Sequence, residues 1–212
     1  MLIAKNLSYK YQATEVLSNI NLSFESGKMY AIIGKSGSGK TTLLSLLSGI
    51  NATQQGTVIL DDKTIKGGQL RAYRRNNSIV FQAYNLINYL TPLQNVKLAL
   101  EITGNKGNHT QIAKDYLQKV GLNDVQMKRK CTELSGGQQQ RVAIARAIAC
   151  QSKIVFADEP TGNLDSATGE AIIQLLKNLA KEENKCVICV THDAQLENYA
   201  DEVIHISDGK IT

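Results

Sequence analysis

Short apolar runs and amphipathic stretches follow one another along the chain. Ile20, Leu22 and Phe24 alternate with Asn21, Ser23 and Glu25, the period-two pattern of a half-buried strand. Ser26-Gly27 then reads as a turn, and Met29 to Ile33 as a short apolar strand that stops at Gly34. Leu43, Leu46, Leu47 and Ile50 recur at i, i+3, i+4 and i+7 and predict a helix with Gly49 near its end. Gly56 to Leu60 reads as another strand, closed by Asp61-Asp62.

The middle of the chain changes period. Thr91-Pro92 has the form of a helix start, a capping hydroxyl followed by proline in the first turn. Leu93, Val96 and Leu100 share a face. Ala113, Tyr116, Leu117 and Val120 predict a second helix, stopped by Gly121, with a flexible polar loop at 103–108 between the two. From Ile154 onward the periods alternate: a strand at 154–157, a helix carrying Ile172, Leu175, Leu176 and Leu179, then strands at 186–190 and 203–206. That alternation predicts an α/β fold with a mainly parallel sheet and covering helices. The expected organisation is a single domain over 1–212. Its core spans about 1–84 and 151–212, and a helical subdomain at about 85–150 is inserted into it.

Composition narrows the class. The 212 residues are 42% apolar and 20% charged, ordinary for a globular protein. The longest purely apolar runs reach about five residues, whereas a membrane span needs roughly twenty. The opening Met-Leu-Ile-Ala-Lys-Asn has no basic region followed by an apolar core, so no signal peptide is read and a cytoplasmic location is expected. The net charge of +5 is mild, and the clusters Lys128-Arg129-Lys130 and Arg74-Arg75 come without an aromatic platform. A solvated surface is expected there, not a nucleic-acid partner. Cys186 and Cys189 sit three apart in what reads as a strand and so point to opposite faces. They are expected to be buried, inert thiols, and with Cys131 and Cys150 they imply no disulfide framework.

The chemistry begins at 34–41. Gly34-Lys35-Ser36-Gly37-Ser38-Gly39-Lys40-Thr41 follows a strand and opens a helix, the setting in which a glycine-rich loop wraps a phosphate with its backbone N–H groups. The helix N-terminus adds positive potential. Lys40 is expected to reach the β- and γ-phosphates, Thr41 to ligate Mg²⁺ and Thr42 to bond the α-phosphate. The apolar strand at 154–157 ends in Asp158 and Glu159, at the edge where open α/β sheets bind ligands. Asp158 is expected to hold Mg²⁺ through water, and Glu159 to take a proton from an attacking water. A second phosphate-suited helix start follows Leu134: Ser135, Gly136, Gly137 and Gln138 precede an alanine-rich helix at 142–149. Two such sites and only one Lys40 are most simply explained if the sites meet across a dimer.

With these residues in order the chain resembles the ATP-binding-cassette (ABC) ATPases along its whole length. The resemblance rests on the phosphate loop, Gln82 in Val-Phe-Gln, Leu-Ser-Gly-Gly-Gln at 134–138, the acid strand, Asp165 in Gly-Asn-Leu-Asp and His192 in Val-Thr-His-Asp. It implies a P-loop NTPase core with an N-terminal antiparallel β subdomain and an inserted helical one. It also implies ATP as substrate and Mg²⁺ as cofactor. In such proteins the nucleotide lies between the phosphate loop of one subunit and the Ser135–Gln138 signature of the other. Gln82 would sense Mg²⁺ and water, His192 would contact the γ-phosphate, Asp165 would sit at the dimer seam, and Tyr11, with Tyr9 as competitor, would stack on adenine. His109 and His205 are expected to be structural.

The stretch 158–165 together with Phe81 to Leu86 is similar to the group serving macrolide export, lipoprotein release and cell division. Asn88 and Cys131 depart from that group's pattern, in which proline is common at both places. The resemblance implies the ATPase subunit of a transporter, at the inner face of the membrane through a permease on a separate chain, with the surface around Tyr84, Leu86 and Tyr89 as the docking seat. The alternative within the family is a regulatory motor acting on a membrane partner without cargo. A soluble ATPase of DNA repair or translation fits less well: the stretch from Lys40 to Ser135 is too short for the long coiled coil of a repair ATPase, and a translation ATPase usually has two cassettes in one chain.

Overall fold

The computed structural model describes residues 1–162 and 164–212. In chain order β1 (Leu2–Tyr11) and β2 (Thr14–Phe24) lead to β3 (Met29–Ile33), helix α1 (Lys40–Leu47), β4 (Gln55–Leu60), β5 (Lys63–Thr64), α2 (Leu70–Arg75) and β6 (Asn77–Val80). Helices α3 (Pro92–Thr103), α4 (His109–Lys119) and α5 (Gly136–Ala149) follow. The chain then returns to β7 (Ile154–Asp158), α6 (Ser166–Glu182), β8 (Cys186–Thr191), β9 (Glu202–Ser207) and β10 (Lys210–Ile211).

The strands form two sheets. An antiparallel sheet has the order β2-β1-β4-β5, and a six-stranded sheet has the order β10-β9-β3-β8-β7-β6. In the second sheet β9, β3, β8, β7 and β6 are mutually parallel and β10 is antiparallel at the edge. All six residues of β8, a central strand, are buried, which explains why it reads as a continuous apolar run without alternation.

The two faces of the parallel sheet support separate cores. Tyr30, Ile32, Phe156, Ile188 and Val190 pack with α1 and with Leu7, Leu17, Ile20 and Phe24 of the antiparallel sheet. Met29, Ala31, Val155, Ala157 and Val187 pack with α5, α6 and the α3–α4 pair. Cys186 belongs to the first core and Cys189 to the second, so the two thiols do point to opposite faces. Burial pushes both up to about 12.

Helix α1 differs from its expected form. It ends at Leu47, the chain turns away at Ser48 and Gly49, and Ile50 is 37% exposed. Because α1 is clamped between the two sheets, Leu43, Leu44, Leu46 and Leu47 are all buried, and no single apolar stripe exists. Each buried leucine contributes about 1.5–3 kcal/mol, so the helix that carries the phosphate loop is firmly anchored.

The middle helices are capped as their residues dictate. The Thr91 hydroxyl accepts from the Gln94 N–H and the Gln94 side chain accepts from the Thr91 N–H. Asn108 caps α4, and α5 starts at Gly136, six residues before the alanine-rich stretch, with Ser135 as its cap. α5 packs on α3 and α4 and also on β6, joining the helical layer to the sheet.

Candidate nucleotide site

The loop at 34–39 leaves β3 at its C-terminal end and enters α1. A Cβ on Gly34 would stand 2.2 Å from the Ile206 carbonyl oxygen, so only glycine lets the loop start this close to β9. Gly39 has φ +101°, and a Cβ there would stand 2.8 Å from Leu17. Inside the loop Lys40 is 8% exposed, and its Nζ donates to the carbonyls of Gly34 at 2.7 Å and Lys35 at 2.9 Å. No carboxylate pairs with it among the described residues. The buried hydroxyl of Ser38 has no hydrogen-bond partner. A desolvated cation on carbonyls and an orphaned hydroxyl in one loop suit an incoming phosphate.

The acids stand one strand beyond β8. Thr41 Oγ1 donates to Asp158 Oδ1 at 3.3 Å. Burial pushes the Asp158 carboxyl up, as does the neighbouring Glu159, while the Thr41 hydroxyl and Lys40 pull it down. A half-buried carboxylate beside a threonine hydroxyl is a donor set of hard oxygens that suits Mg²⁺. Glu159 has a left-handed backbone, φ +46°, which turns its side chain across the end of β8. There Oε1 accepts from the His192 N–H at 3.1 Å and lies 2.8 Å from His192 Nδ1, and Oε2 accepts from the Thr191 hydroxyl at 2.8 Å.

Ser36, Gly37, Gly39, Lys40, Thr41 and Thr42 share one open cavity of about 510 Å³ with Gln82, Glu159 and His192. Val16 of β2 also lines it. Tyr11 is not part of that lining: it is 50% exposed and packs edge-on to Tyr9 with ring centroids 5.0 Å apart. It lies on the same hairpin as Val16, a residue whose place in the cavity no sequence pattern signals.

The signature residues stand apart. Ser135, Gly137 and Gln138 line a second cavity of about 380 Å³ with Arg141, Asp165 and Thr168. Ser135 Oγ accepts from the Gln138 N–H at 3.3 Å and the Gln138 side chain accepts from the Ser135 N–H at 3.1 Å, so this helix start closes on itself. Asp165 caps α6: its carboxylate accepts from the Thr168 N–H at 3.0 Å, and this contact holds it below the usual carboxylate range. Gly136 faces Tyr84, whose hydroxyl would be 3.1 Å from a Cβ there.

The expected docking surface is smaller than the sequence suggests. Tyr89 is 74% exposed, but Tyr84 and Leu86 are half-buried, with Leu86 packed on the helical core. The loop is held from beneath by Arg146 of α5, whose guanidinium donates to the carbonyls of Tyr84 at 2.8 Å and of Asn85. Buried Asn95 also grips it through both the N–H and the carbonyl of Ile87. Neither residue stands out in the sequence, because contacts to backbone carbonyls leave no pattern of residue types.

Residues 17–162 match the family model described as ABC transporter. The chain belongs to the ABC transporter family. It is 49% identical over 206 residues to the uncharacterized ABC transporter ATP-binding protein YclH of Bacillus subtilis (strain 168), covering 96% of this chain and 91% of that protein. It is 39% identical over 220 residues to the macrolide export ATP-binding/permease protein MacB of Bartonella henselae, covering all of this chain and 33% of MacB. The dimeric structure of MJ0796, a bacterial ABC transporter cassette, superposes with TM-score 0.91 at 38% identity, over 100% of this chain and 96% of that one. A second dimeric structure of MJ0796, in a post-hydrolysis state bound to ADP and Pi, matches equally. The chain is therefore an ATP-binding cassette, and its family implies ATP hydrolysis. Its relatives span several groups, so the similarity selects no single one. Among the described residues no helix is long and apolar enough to cross a membrane.

Proposed function

We propose that this cassette hydrolyses ATP at two composite sites in a homodimer and thereby drives a transmembrane permease carried on a separate chain. The observation behind the reading is the division of the chain into two cavities. One gathers Lys40, Gln82, Glu159 and His192, and the other gathers Ser135, Gln138 and Asp165. Neither set is complete alone, and a two-fold arrangement of identical chains brings each to the other.

Lys40 exchanges its two loop carbonyls for the β- and γ-phosphates, whose charge exceeds theirs, while the loop N–H groups and Thr42 hold the remaining oxygens. Tyr11 and Val16 supply the adenine-facing surface. Thr41, Asp158 and Gln82 would hold Mg²⁺, which supplies charge neutralisation at the transferring phosphoryl group. Glu159 takes the proton of the attacking water, and His192 turns toward the γ-phosphate. Ser135 to Gln138 of the second subunit close the site from the far side, with Asp165 at the seam. Tyr89 and the loop beneath it form the seat for the permease, which places the cassette at the inner face of a membrane. The name of MacB, ATP-binding/permease, on a protein of which this chain covers 33%, supports a permease as the partner of the cassette.

Glu159→Gln tests the reading. Glutamine keeps the shape but cannot accept the proton, so ATP binding should persist while kcat falls by roughly 10²–10⁴-fold. The variant should accumulate as an ATP-bound dimer by light scattering. Turnover near the wild-type rate would remove Glu159 from the chemistry.

A further inference from the structure

We infer that Thr191 is a positioning residue for the Glu159 carboxylate, and that the two oxygens of that carboxylate have different duties: Oε2 is the anchored oxygen and Oε1 the one that takes the proton. The inference rests on the reading of Glu159 as the base.

Thr191 ends β8 between the phosphate-loop strand and the acid strand. It stands opposite Ile33 of β3, and its neighbour Val190 stands opposite Asp158 of β7. It is fully buried. Its hydroxyl oxygen accepts from the Asp193 N–H at 3.0 Å. An N–H can only donate, so the single hydroxyl proton is free to point at Glu159 Oε2, 2.8 Å away. The Glu159 N–H donates to the Val190 carbonyl at 2.9 Å. Backbone and side chain of Glu159 are thus both pinned to the last two residues of β8, which offsets the cost of its left-handed conformation.

Oε1 is held differently. Its partners are the backbone N–H and ring of His192, whose side chain is 67% exposed. A ring at the cavity mouth can turn away, whereas a buried hydroxyl in a central strand cannot. When His192 swings toward the γ-phosphate, Oε1 loses its ring contact and faces the cavity while Oε2 stays fixed. The water O–H bond then breaks with its proton going to Oε1. The water oxygen bonds to the γ-phosphorus as the bond to the ADP oxygen breaks.

The test compares Thr191→Val, which keeps the shape and removes the hydroxyl, with Thr191→Ser, which keeps the hydroxyl, and Thr191→Cys, a weak donor. Thr191→Val should lower kcat by roughly 10–100-fold, the worth of a hydrogen bond to a charged group. ATP affinity and ATP-driven dimerisation should be unchanged. Thr191→Ser should restore most of kcat, with Thr191→Cys between. In a Glu159→Gln background Thr191→Val should cause no further loss, because the side chain it anchors no longer takes a proton. Wild-type kcat in Thr191→Val, or equal losses in the Ser and Val variants, would overturn the inference. If Thr191→Val does not fold, the order wild type, Ser, Cys tests the same point, and equal kcat in all three overturns it. Normal turnover in Glu159→Gln would instead sink the reading of the base itself.

Discussion

Two helix starts in this chain look alike in sequence and behave oppositely in structure. Both are short runs containing glycine and serine at the opening of a helix, Gly34–Lys40 running into α1 and Ser135–Gln138 forming the cap and first turn of α5. The first is left open. Its lysine is parked on its own carbonyls, a buried serine hydroxyl is unpartnered, and the loop lines a cavity of about 510 Å³. The second is closed by a reciprocal pair of hydrogen bonds between Ser135 and Gln138. A loop with unsatisfied groups is built to bind by itself. A helix start already satisfied has no open demand for a ligand of its own, which fits the proposed role of half a site.

Removing Lys40 strains this contrast most. Lys40→Ala deletes the cation of the open loop and should weaken Mg·ATP binding by roughly a hundredfold or more, since charge-assisted contacts to phosphate are among the strongest polar interactions. Isothermal calorimetry on the isolated cassette reads it. Affinity within a few-fold of wild type would mean that the loop backbone alone holds the nucleotide, and the open and closed starts would differ less than their geometry suggests.

Ser135→Arg tests the other half. The phosphate loop of the same chain is untouched, so the variant should bind ATP with wild-type affinity, yet neither dimerise nor turn over. A monomer by light scattering that still hydrolyses ATP at the wild-type rate would make the signature purely structural.

Much of this contrast is legible in the amino-acid sequence. The phosphate loop, the acid strand and the signature are local strings whose glycines, hydroxyls and charges state their chemistry, and β3 and β8 declare themselves as apolar runs. The remainder depends on what packs where. Helix α1 reads as one-sided but is covered on both sides by sheets that are distant in sequence. In β1 and β2 the alternation breaks, because register shifts between Ala4 and Leu7 and between Leu7 and Tyr9 reset the pairing. Thr191 reads as a strand residue, and only the left-handed turn at Glu159 brings a carboxylate to its hydroxyl. Arg146 and Asn95 hold main-chain groups of the loop below Tyr89, and such contacts do not constrain the residue type on the other side.

The smallest expected effect separates capping from ligand binding at Ser135. Thr91 makes the same reciprocal arrangement with Gln94 that Ser135 makes with Gln138, at 2.9 and 3.2 Å against 3.1 and 3.3 Å. Thr91 lines neither of the two cavities. As caps the two are equivalent, so Thr91→Ala and Ser135→Ala should each cost about 1 kcal/mol of stability, a fall of roughly 2–4 °C in Tm for a chain of this size. Only Ser135→Ala should also weaken ATP-driven dimerisation. In the proposed two-site dimer its hydroxyl is the group offered to a phosphate held by the other subunit, and loss of one such contact corresponds to roughly a tenfold weaker dimer. Calorimetric melting and concentration-dependent light scattering of both variants decide the matter. If the two variants dimerise alike, the hydroxyl of Ser135 is a cap and nothing more, and the half-site must act through its backbone N–H groups.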